Sequence, residues 1–305
     1  MNAAVHPYAT LAYANTLAHV GRPQFVASWQ SYVLLRQFRG HTEDAIGPYP
    51  LTCIAPGSDI GSGLASLREV GAVSVTIVVD GLLGPASSDL HEAFPIARPF
   101  KTHYVFDPNV AAYVPSKHHS YEIRRANQRS VEVKVVELEG ILDAWVSLYD
   151  ELVSHRAIKG TQCFSRDSFA ALARCHGLCT VAAYIGQELV SCHLWFRYGG
   201  HVWSHLAATS ALGYETGAAY AVYDYSIRTF SGNVINLGGT AGNDDAPDNG
   251  LVRFKAGFAN RKQQAFLCGV VLDAEAYRSL CDERGPATDN YFPAYRSPQL
   301  SDVSI

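Results

Sequence analysis

The chain has 305 residues, of which 48% are hydrophobic and 17% charged, so it holds enough apolar side chains for one large domain or two ordinary ones. A net charge of −4 and a pI near 6.3 exclude a strongly basic surface; DNA is not an expected partner, and any RNA contact needs a local basic patch. No segment approaches the roughly 18 uninterrupted apolar residues of a membrane span, and the first residues lack a basic, apolar leader. We therefore predict no transmembrane segment, no signal peptide and a cytoplasmic location.

The first third of the chain predicts short, alternating strands and helices. The pattern predicts strands over residues 31–35, 51–54, 73–79 and 102–106, with short helices over residues 62–70 and 89–94. Residues 73–79 are nearly all β-branched, which is typical of a buried strand. We predict a linker at Pro115, Ser116 and Lys117.

The rest of the chain predicts a longer α/β succession. A basic helix over residues 117–129 leads into a strand over 131–136, followed by helices over 138–153 and 167–174, the second with Ser165 as its N-cap. Three strands over 179–185, 188–198 and 201–207 are joined by tight glycine turns. A long helix over 215–230 and strands over 234–237 and 265–272 complete the prediction.

Seven cysteines are scattered along the chain without a regular spacing. An odd, dispersed set in a chain of this size indicates reduced thiols rather than disulfides. Cys175, His176 and Cys179 are close in sequence, but structural zinc needs four ligands, usually as two close pairs. We therefore expect neither a metal site nor a cofactor.

The order of the predicted elements is similar to that of a GNAT-type N-acyltransferase domain, and three segments resemble a narrower family. Residues 99–107 contain a Lys-Thr strand, residues 121–133 an Arg-rich helix leading into a strand, and residues 236–239 with 250–258 an Asn-Leu-Gly-Gly and a Phe-Lys block. Together they resemble the FemAB family, the peptidoglycan-bridge aminoacyltransferases. The resemblance implies an α/β (α+β) fold with a mixed, mainly antiparallel sheet flanked by helices. It also implies a truncated GNAT-like unit over residues 1–115 and a complete one over residues 116–305.

The sharpest candidate for chemistry is Lys255, which lies between Phe254 and Phe258. Apolar neighbours strip water from an ammonium group, which is costly unless the group meets an anion or a polarised carbonyl. The family resemblance implies that Phe254 and Lys255 lie beside the acyl-transfer centre. There Lys255 would donate to an ester carbonyl or a phosphate as negative charge develops, and Phe254 would position the donor. The alternative is that Lys255 caps a helix or pairs with a surface carboxylate.

The predicted substrate-binding residues begin with cations. Arg124 and Arg125 lie on the basic helix, and the resemblance suggests that a diphosphate-linked acceptor or a tRNA end binds near them. The alternative is a solvated helix face. Lys101 and Arg253, from the first and last of the resembling segments, join this predicted set.

Acyl transfer to an amine also needs a base, and histidine suits that role. His201, Trp203 and His205 are predicted to share one face of a strand. We take His205 as a candidate catalytic base and Trp203 as a candidate substrate contact. The alternative is a core or pocket-lining histidine with no part in the chemistry.

An acidic, turn-rich loop precedes the Lys255 block. Asp244 or Asp245 in this loop would orient an incoming ammonium nucleophile or pair with Lys255. The alternative is a solvated loop. Because the loop lacks the Gly-Lys-Ser/Thr ending of a phosphate loop, nucleotide hydrolysis is excluded.

The donor is predicted from the segment over residues 211–218. Acyl-CoA-dependent GNAT enzymes hold a pyrophosphate on a glycine-rich turn at a helix start, but here the glycine spacing differs and Glu215 stands where an anion should bind. This favours the donor that the FemAB resemblance implies, an aminoacyl-tRNA. Because the long helical arm of some family members is missing, contact is expected to be limited to the acceptor end of the tRNA.

The sequence therefore predicts an aminoacyltransferase that forms an amide between an activated amino acid and an amine acceptor. The acceptor would be a cell-wall precursor, a peptide or a small metabolite. One alternative is an N-acyltransferase that uses acyl-CoA or an acyl carrier protein, with a groove beside Gly213. The other is a catalytically silent GNAT-like binding module, which predicts a solvent-exposed Lys255 and no cleft between Lys255 and Arg124.

Overall fold

A computed structural model describes residues 5–38, 42–158, 160–240, 249–285 and 290–298. These residues divide into two compact units. The central unit holds the described residues of Met1–Pro7, Asn15–His19 and Lys101–Gln264. The flanking unit holds those of Tyr8–Ala14, Val20–Phe100 and Ala265–Ile305. No helix in the described ranges is long and apolar enough to cross a membrane.

Helices and strands alternate along most of the described chain. The α-helices are α1 (Leu11–Asn15), α2 (Ile60–Glu69), α3 (Ser87–Ala93), α4 (Lys117–Gln128), α5 (Leu142–Arg156), α6 (Arg166–Leu172), α7 (Ala211–Thr216), α8 (Ala218–Thr229), α9 (Gly250–Ala256) and α10 (Ala274–Arg284). The strands are β1 (Arg22–Val26), β2 (Ser31–Gln37), β3 (Glu43–Ile46), β4 (Ala72–Asp80), β5 (Ile96–Phe106), β6 (Glu132–Val136), β7 (Leu178–Ile185), β8 (Glu188–Tyr198), β9 (His201–Thr209), β10 (Val234–Asn236) and β11 (Arg261–Val271).

In the flanking unit the strands follow the order β1-β2-β3-β4-β11, and only the β3–β4 pair is parallel. Val75, Ile77 and Val79 of β4 are buried at alternate positions, as a β-branched strand between packed layers should be. These side chains form one core with α2 and with Trp29.

In the central unit the strands follow the order β5-β10-β9-β8-β7-β6. All neighbours are antiparallel except β10 and β9, which are parallel. Helix α8 packs against this sheet through Val222 and Ile227, which are buried in the same core as Trp195 of β8. The predicted fold class, a mixed and mainly antiparallel sheet flanked by helices, is confirmed.

The division into units differs from the predicted boundary at residues 115/116. Ser116 is the N-cap of α4 and lies within the central unit, so the predicted linker is a helix start. The chain instead crosses between units at 7/8, 14/15, 19/20, 100/101 and 264/265. The C-terminal part belongs with the flanking strands because residues 265–271 pair with β4, and Tyr295 donates a hydrogen bond to the buried carboxylate of Asp44. Which parts correspond to truncated and complete GNAT-like units stays a prediction.

Two predicted elements are wrong in detail. Residues 51–54 form no strand, and the strand that pairs with β2 is β3. The helix predicted over 215–230 is two helices, α7 and α8, which meet at Gly217. That residue has a φ of 79°, a left-handed conformation that ends a helix and that glycine adopts without strain.

Candidate functional site

The candidate site is built around a glycine loop at the end of β10, comprising Gly238, Gly239 and Thr240. Asn236, the last residue of β10, accepts a hydrogen bond at Oδ1 from the Gly238 amide (2.8 Å). Its Nδ2 donates to His103 Nδ1 across the sheet (3.0 Å). The side chain of Asn236 therefore fixes both the loop and the ring of His103.

Lys255 reaches this loop from α9. Its side chain is buried and Nζ donates a hydrogen bond to the carbonyl oxygen of Gly239. A Cβ at Gly238 would lie 3.3 Å from this Nζ, and Gly238 has a φ of +75°, so glycine suits this position on both counts. Burial, followed by the charge of Lys101, lowers the pKa of Lys255 to about 7.

Lys101 of β5 approaches the same loop and lies half-buried beside Lys255. Its Nζ donates to the carbonyl oxygen of Thr240 at 2.8 Å, one residue beyond the oxygen that Lys255 uses. A Cβ at Gly239 would meet the Lys101 side chain at 3.2 Å. The two glycines thus allow two amino groups to meet consecutive carbonyls of one loop.

The position of α9 is set by its contact with α4. His119 of α4 lies against the end of α9, and its Nε2 donates to the carbonyl oxygen of Phe254 at 2.7 Å. Its Nδ1 lies 2.8 Å from Ser116 Oγ, which donates the proton of that bond. A Cβ at Gly257 would come within 2.1 Å of the His119 ring. Glycine at this position is what lets the ring hold the helix that carries Lys255.

Phe254 is half-buried in an aromatic cluster next to Lys255. Its ring meets those of Tyr220 and Tyr223 of α8 at 4.8 and 4.7 Å, both edge to face, and that of Phe258 at 5.3 Å. The cluster packs the part of α9 that carries Lys255 against α8. The structure therefore brings together Lys255, Phe254 and Lys101 of the predicted set.

His193 of β8 is a neutral neighbour of Lys255. Its Nε2 lies 2.8 Å from Ser204 Oγ, and Ser204 also hydrogen-bonds Tyr223. Its Nδ1 is buried and has no hydrogen-bond partner among the described residues. Burial, and then the charges of Lys255 and His205, hold the pKa of His193 well below its ordinary value.

His205, the predicted base, lies in a different environment. Leu194 and Trp195 of β8 pair with Leu206 and Ser204, so His205 falls at a β-bulge, and its ring packs 5.2 Å from that of Phe196. Burial lowers its pKa to about 3, which makes His205 a poor proton acceptor near neutral pH. A catalytic role for His205 stays a prediction.

Trp203 is likewise a core residue in this structure. It is buried, and its ring packs against His6 at 4.5 Å and stacks on His201 at 5.7 Å. These contacts place it in the interior of the central unit. A role in binding substrate stays a prediction.

The two neighbouring arginines of α4 have different environments. Arg125 donates to the Glu122 carboxylate at 2.9 Å and to the carbonyl oxygen of Glu215 at 2.7 Å. Arg129 donates to that same carbonyl at 2.8 Å. Arg125 is therefore occupied at the end of α7, whereas Arg124 is exposed and makes no hydrogen bond or ion pair with any described residue.

Three predicted site residues remain: Arg253, Asp244 and Asp245. Arg253 is exposed on α9, within electrostatic range of Tyr220. Asp244 and Asp245 lie outside the described residues. Within the described ranges, no group of three or more His, Cys, Asp or Glu side chains is arranged to hold a metal ion.

Three residues of the site were missed as functional candidates: His103, His193 and Asn236. They come from β5, β8 and β10, which are neighbours only after the sheet has formed. Asn236 lies within the Asn-Leu-Gly-Gly block and His103 within the Lys-Thr strand, so both carried a sequence signal. His193 carried none beyond its place in an apolar strand.

A cavity lies elsewhere in the central unit, away from Lys255. It has a volume of about 490 Å³ and is lined by Glu137, Cys179, Arg197 and Asn233, among other residues. Asn233 precedes β10, whereas the glycine loop follows it, so the cavity is at the opposite edge of the sheet from Lys255. Because none of the predicted site residues lines this cavity, we place the candidate site at Lys255 and not there.

No protein-family model matches the sequence, and no curated protein is matched by it. Solved structures are similar in fold. FemX has a TM-score of 0.63 at 11% identity, over 90% of this chain and 95% of that structure. The C-terminal domain (DUF2156) of a protein assigned as a lysylphosphatidylglycerol synthetase from Agrobacterium fabrum has a TM-score of 0.62 at 15% identity, over 89% and 90%. L-PGS from Bacillus licheniformis has a TM-score of 0.59 at 13% identity, over 83% and 85%.

At these identities the similarity concerns the fold. It extends over most of this chain and most of each compared structure. At the level of the fold, the resemblance first found in three sequence segments is thereby confirmed: the chain has a fold similar to that of FemX.

Proposed function

We propose that this protein is an aminoacyltransferase that moves an amino acid from an activated ester, an aminoacyl-tRNA, to an amine acceptor. The observation that carries the proposal is the buried amine of Lys255, which meets the Gly239 carbonyl beside Lys101 and the Phe254 aromatic cluster. A buried amine of this kind is suited to an ester carbonyl on which negative charge develops.

The similar structures support amino acid chemistry. The name lysylphosphatidylglycerol synthetase describes a protein that joins a lysyl group to phosphatidylglycerol. The FemAB resemblance implies transfer from aminoacyl-tRNA to an amine. The fold shared with FemX and L-PGS is compatible with both kinds of acceptor, and the amine acceptor follows from the FemAB resemblance.

The segment that would bind the pyrophosphate of CoA argues against an acyl-CoA donor. Gly213 is packed tightly, since a Cβ there would lie 2.2 Å from the Val190 carbonyl oxygen. At the start of α8, a Cβ on Gly217 would lie 3.4 Å from Glu122 Oε2. The Glu122 carboxylate thus lies beside the helix start where a pyrophosphate would need to bind, and it would repel that group.

A catalytically silent module is also disfavoured. That alternative predicts a solvent-exposed Lys255, yet only 8% of its surface is exposed. Lys255 is buried and burial lowers its pKa, so its ammonium form destabilises the fold and a purely structural role does not explain it.

The donor is tested by thermal shift, in which the purified protein is heated with a mixture of aminoacyl-tRNAs, uncharged tRNA, acetyl-CoA or a longer acyl-CoA. A ligand at about 100 times its Kd stabilises by about 2.7 kcal/mol, a shift of several degrees for a chain of this size. We expect the melting temperature to rise with charged tRNA and to stay unchanged with either CoA ester.

The matched control is charged tRNA that has been deacylated by mild alkali, because it differs only in the ester. An equal shift with deacylated tRNA would show that the amino acid is not recognised. A shift with acyl-CoA alone would replace the donor in this proposal with a CoA ester.

A further inference from the structure

We propose that Lys101 and Lys255 act as an acid–base couple, in which Lys255 takes up the proton of the attacking amine while Lys101 remains an ammonium beside it. This inference rests on the proposed function, because it assigns a role to each amine in that reaction. Lys101 would be a positioning residue for the charge state of Lys255.

The geometry of the glycine loop is the first argument. Lys255 and Lys101 donate to the carbonyl oxygens of Gly239 and Thr240, which are consecutive residues. Their amines are therefore held close together by one loop, with Gly238 and Gly239 leaving room for both side chains. Two ammonium groups this close repel, so one of the pair favours its neutral form.

Burial decides which amine is neutral. Lys255 is buried, whereas Lys101 is half-buried and keeps part of its hydration. Burial and the charge of Lys101 bring the pKa of Lys255 to about 7, the range in which a base is most effective near neutral pH. A desolvated lysine next to another cation is a recognised way to obtain a reactive neutral amine.

No charged group among the described neighbours of Lys255 reverses this effect. His193 is held neutral by burial and by Lys255 itself, and burial lowers the pKa of His119 as well. Glu122 is paired with Arg125. Among the ionisable side chains on the elements around α9 and the glycine loop are Lys101 and His103 on β5, His119 and Glu122 on α4, His193 on β8, Tyr220 and Tyr223 on α8, and Arg253 on α9.

The couple accounts for the movement of one proton. The acceptor nitrogen attacks the ester carbon, a C–N bond forms, and the amine proton passes to the neutral Nζ of Lys255. The C–O bond to the ribose then breaks, and Lys255 returns the proton to the leaving ribose oxygen. The products are an amide and a free ribose hydroxyl, and Lys255 ends as the neutral amine that began the cycle.

The experiment is a direct titration of Lys255 by NMR in protein labelled at the lysine side chains. The chain has six lysines, so the spectrum is simple, and Lys255→Arg identifies the resonance. We compare the wild type with Lys101→Gln, which removes the charge but keeps a donor for the Thr240 carbonyl, and with Lys101→Arg, which keeps the charge. Lys117→Met, at an exposed position, controls for unspecific effects.

We expect the midpoint of Lys255 near neutral pH in the wild type and in Lys101→Arg, and roughly one unit higher in Lys101→Gln. A midpoint in the ordinary lysine range in the wild type, or one that does not move in Lys101→Gln, overturns the couple. The titration uses no donor or acceptor, so it is independent of the proposed function, whose failure shows separately as the absence of transfer from charged tRNA.

Where transfer is measured, its rate should follow the same titration. The acidic limb of the pH–rate profile should move upward in Lys101→Gln and stay in place in Lys101→Arg. A lower rate at every pH without movement of the limb would mean that Lys101 acts only on structure or binding, and would overturn its assigned role.

Discussion

At the scale of single residues, burial of the Lys255 amine makes it more reactive but lowers the stability of the fold. Its pKa is lowered from 10.5 to about 7, so between these values the folded chain binds fewer protons at Lys255 than the unfolded chain does. Stability therefore rises with pH across this window, and the penalty from the buried ammonium is fully present below pH 7. The fold would therefore be more stable with an apolar side chain at position 255 than with the lysine that we assign to the chemistry.

We predict that Lys255→Met raises the free energy of unfolding below pH 7, by about 1.4 kcal/mol for each unit of pKa shift that is removed. The gain should shrink as the pH rises above 7 and disappear only above about 10.5, because the wild-type amine is then neutral in both the folded and the unfolded state. Denaturant unfolding at several pH values measures it, with Lys117→Met as the exposed control. A destabilised Lys255→Met at pH 6 would contradict the pKa assigned here.

At the scale of elements, a close contact between α9 and α4 holds Lys255 in place. The ring of His119 fills the space beside Gly257, where a Cβ would lie only 2.1 Å away. Gly250, at the first position of the same helix, has open space around it. This difference between two glycines of one segment allows a matched test.

We predict that Gly257→Ala lowers the free energy of unfolding by about 1–3 kcal/mol, because the added methyl group displaces His119. Gly250→Ala should be neutral or slightly stabilising, because alanine favours the helix by about 1 kcal/mol. Chemical denaturation of both variants measures the difference. Equal effects would mean that the contact between α9 and α4 is looser than described.

The arginines of α4 allow a second test at this scale. Arg125 bonds to the carbonyl oxygen of Glu215 at the end of α7, and Arg124 is exposed. We predict that Arg125→Ala lowers the free energy of unfolding by about 1 kcal/mol, while Arg124→Ala leaves it unchanged. Thermal unfolding compares the two, and the reverse order would show that the assignment of the pair is wrong.

Elements were easier to predict than the site that they form. The β-branched run of β4, the helical period of α5 and the glycine turns on either side of β8 predicted these elements well. Short elements such as β3 and α9 depend on tertiary contacts and have no such period. Lys255 and Phe254 were found through their sequence block, but His193 could not be, because its role depends on strand pairing that brings β8 close to α9.

At the scale of the whole molecule, charge limits how the protein can meet a nucleic acid. The net charge is −4, and Arg125 and Arg129 near the site are already hydrogen-bonded to the carbonyl oxygen of Glu215. We predict that the affinity for charged tRNA falls with salt by a slope that corresponds to fewer than about four phosphate contacts, each contributing roughly 0.7 to 0.9 to the slope. Fluorescence anisotropy across salt concentrations measures this, with a charged acceptor-stem fragment as the matched ligand.

The fragment and the intact tRNA should give similar slopes, because contact is expected at the acceptor end alone. A much steeper slope with intact tRNA would mean that the protein also contacts the body of the tRNA.

The organisation of the chain into units was harder to predict than the fold class. Sequence order suggested a boundary at 115/116, whereas the compact units draw on separated stretches, because β4 pairs with a strand from near the C-terminus.

The most direct test of the central assignment follows the amino acid itself. Total tRNA charged with radiolabelled amino acids is incubated with the protein and a small-molecule extract of the source organism, and the products are treated with mild alkali. Esters hydrolyse under this treatment and amides do not. We predict that alkali-stable label forms with the wild type and with Lys117→Met and is lost with Lys255→Met; equal formation by Lys255→Met would contradict the assignment of the site, and its absence with the wild type would contradict the proposed transfer.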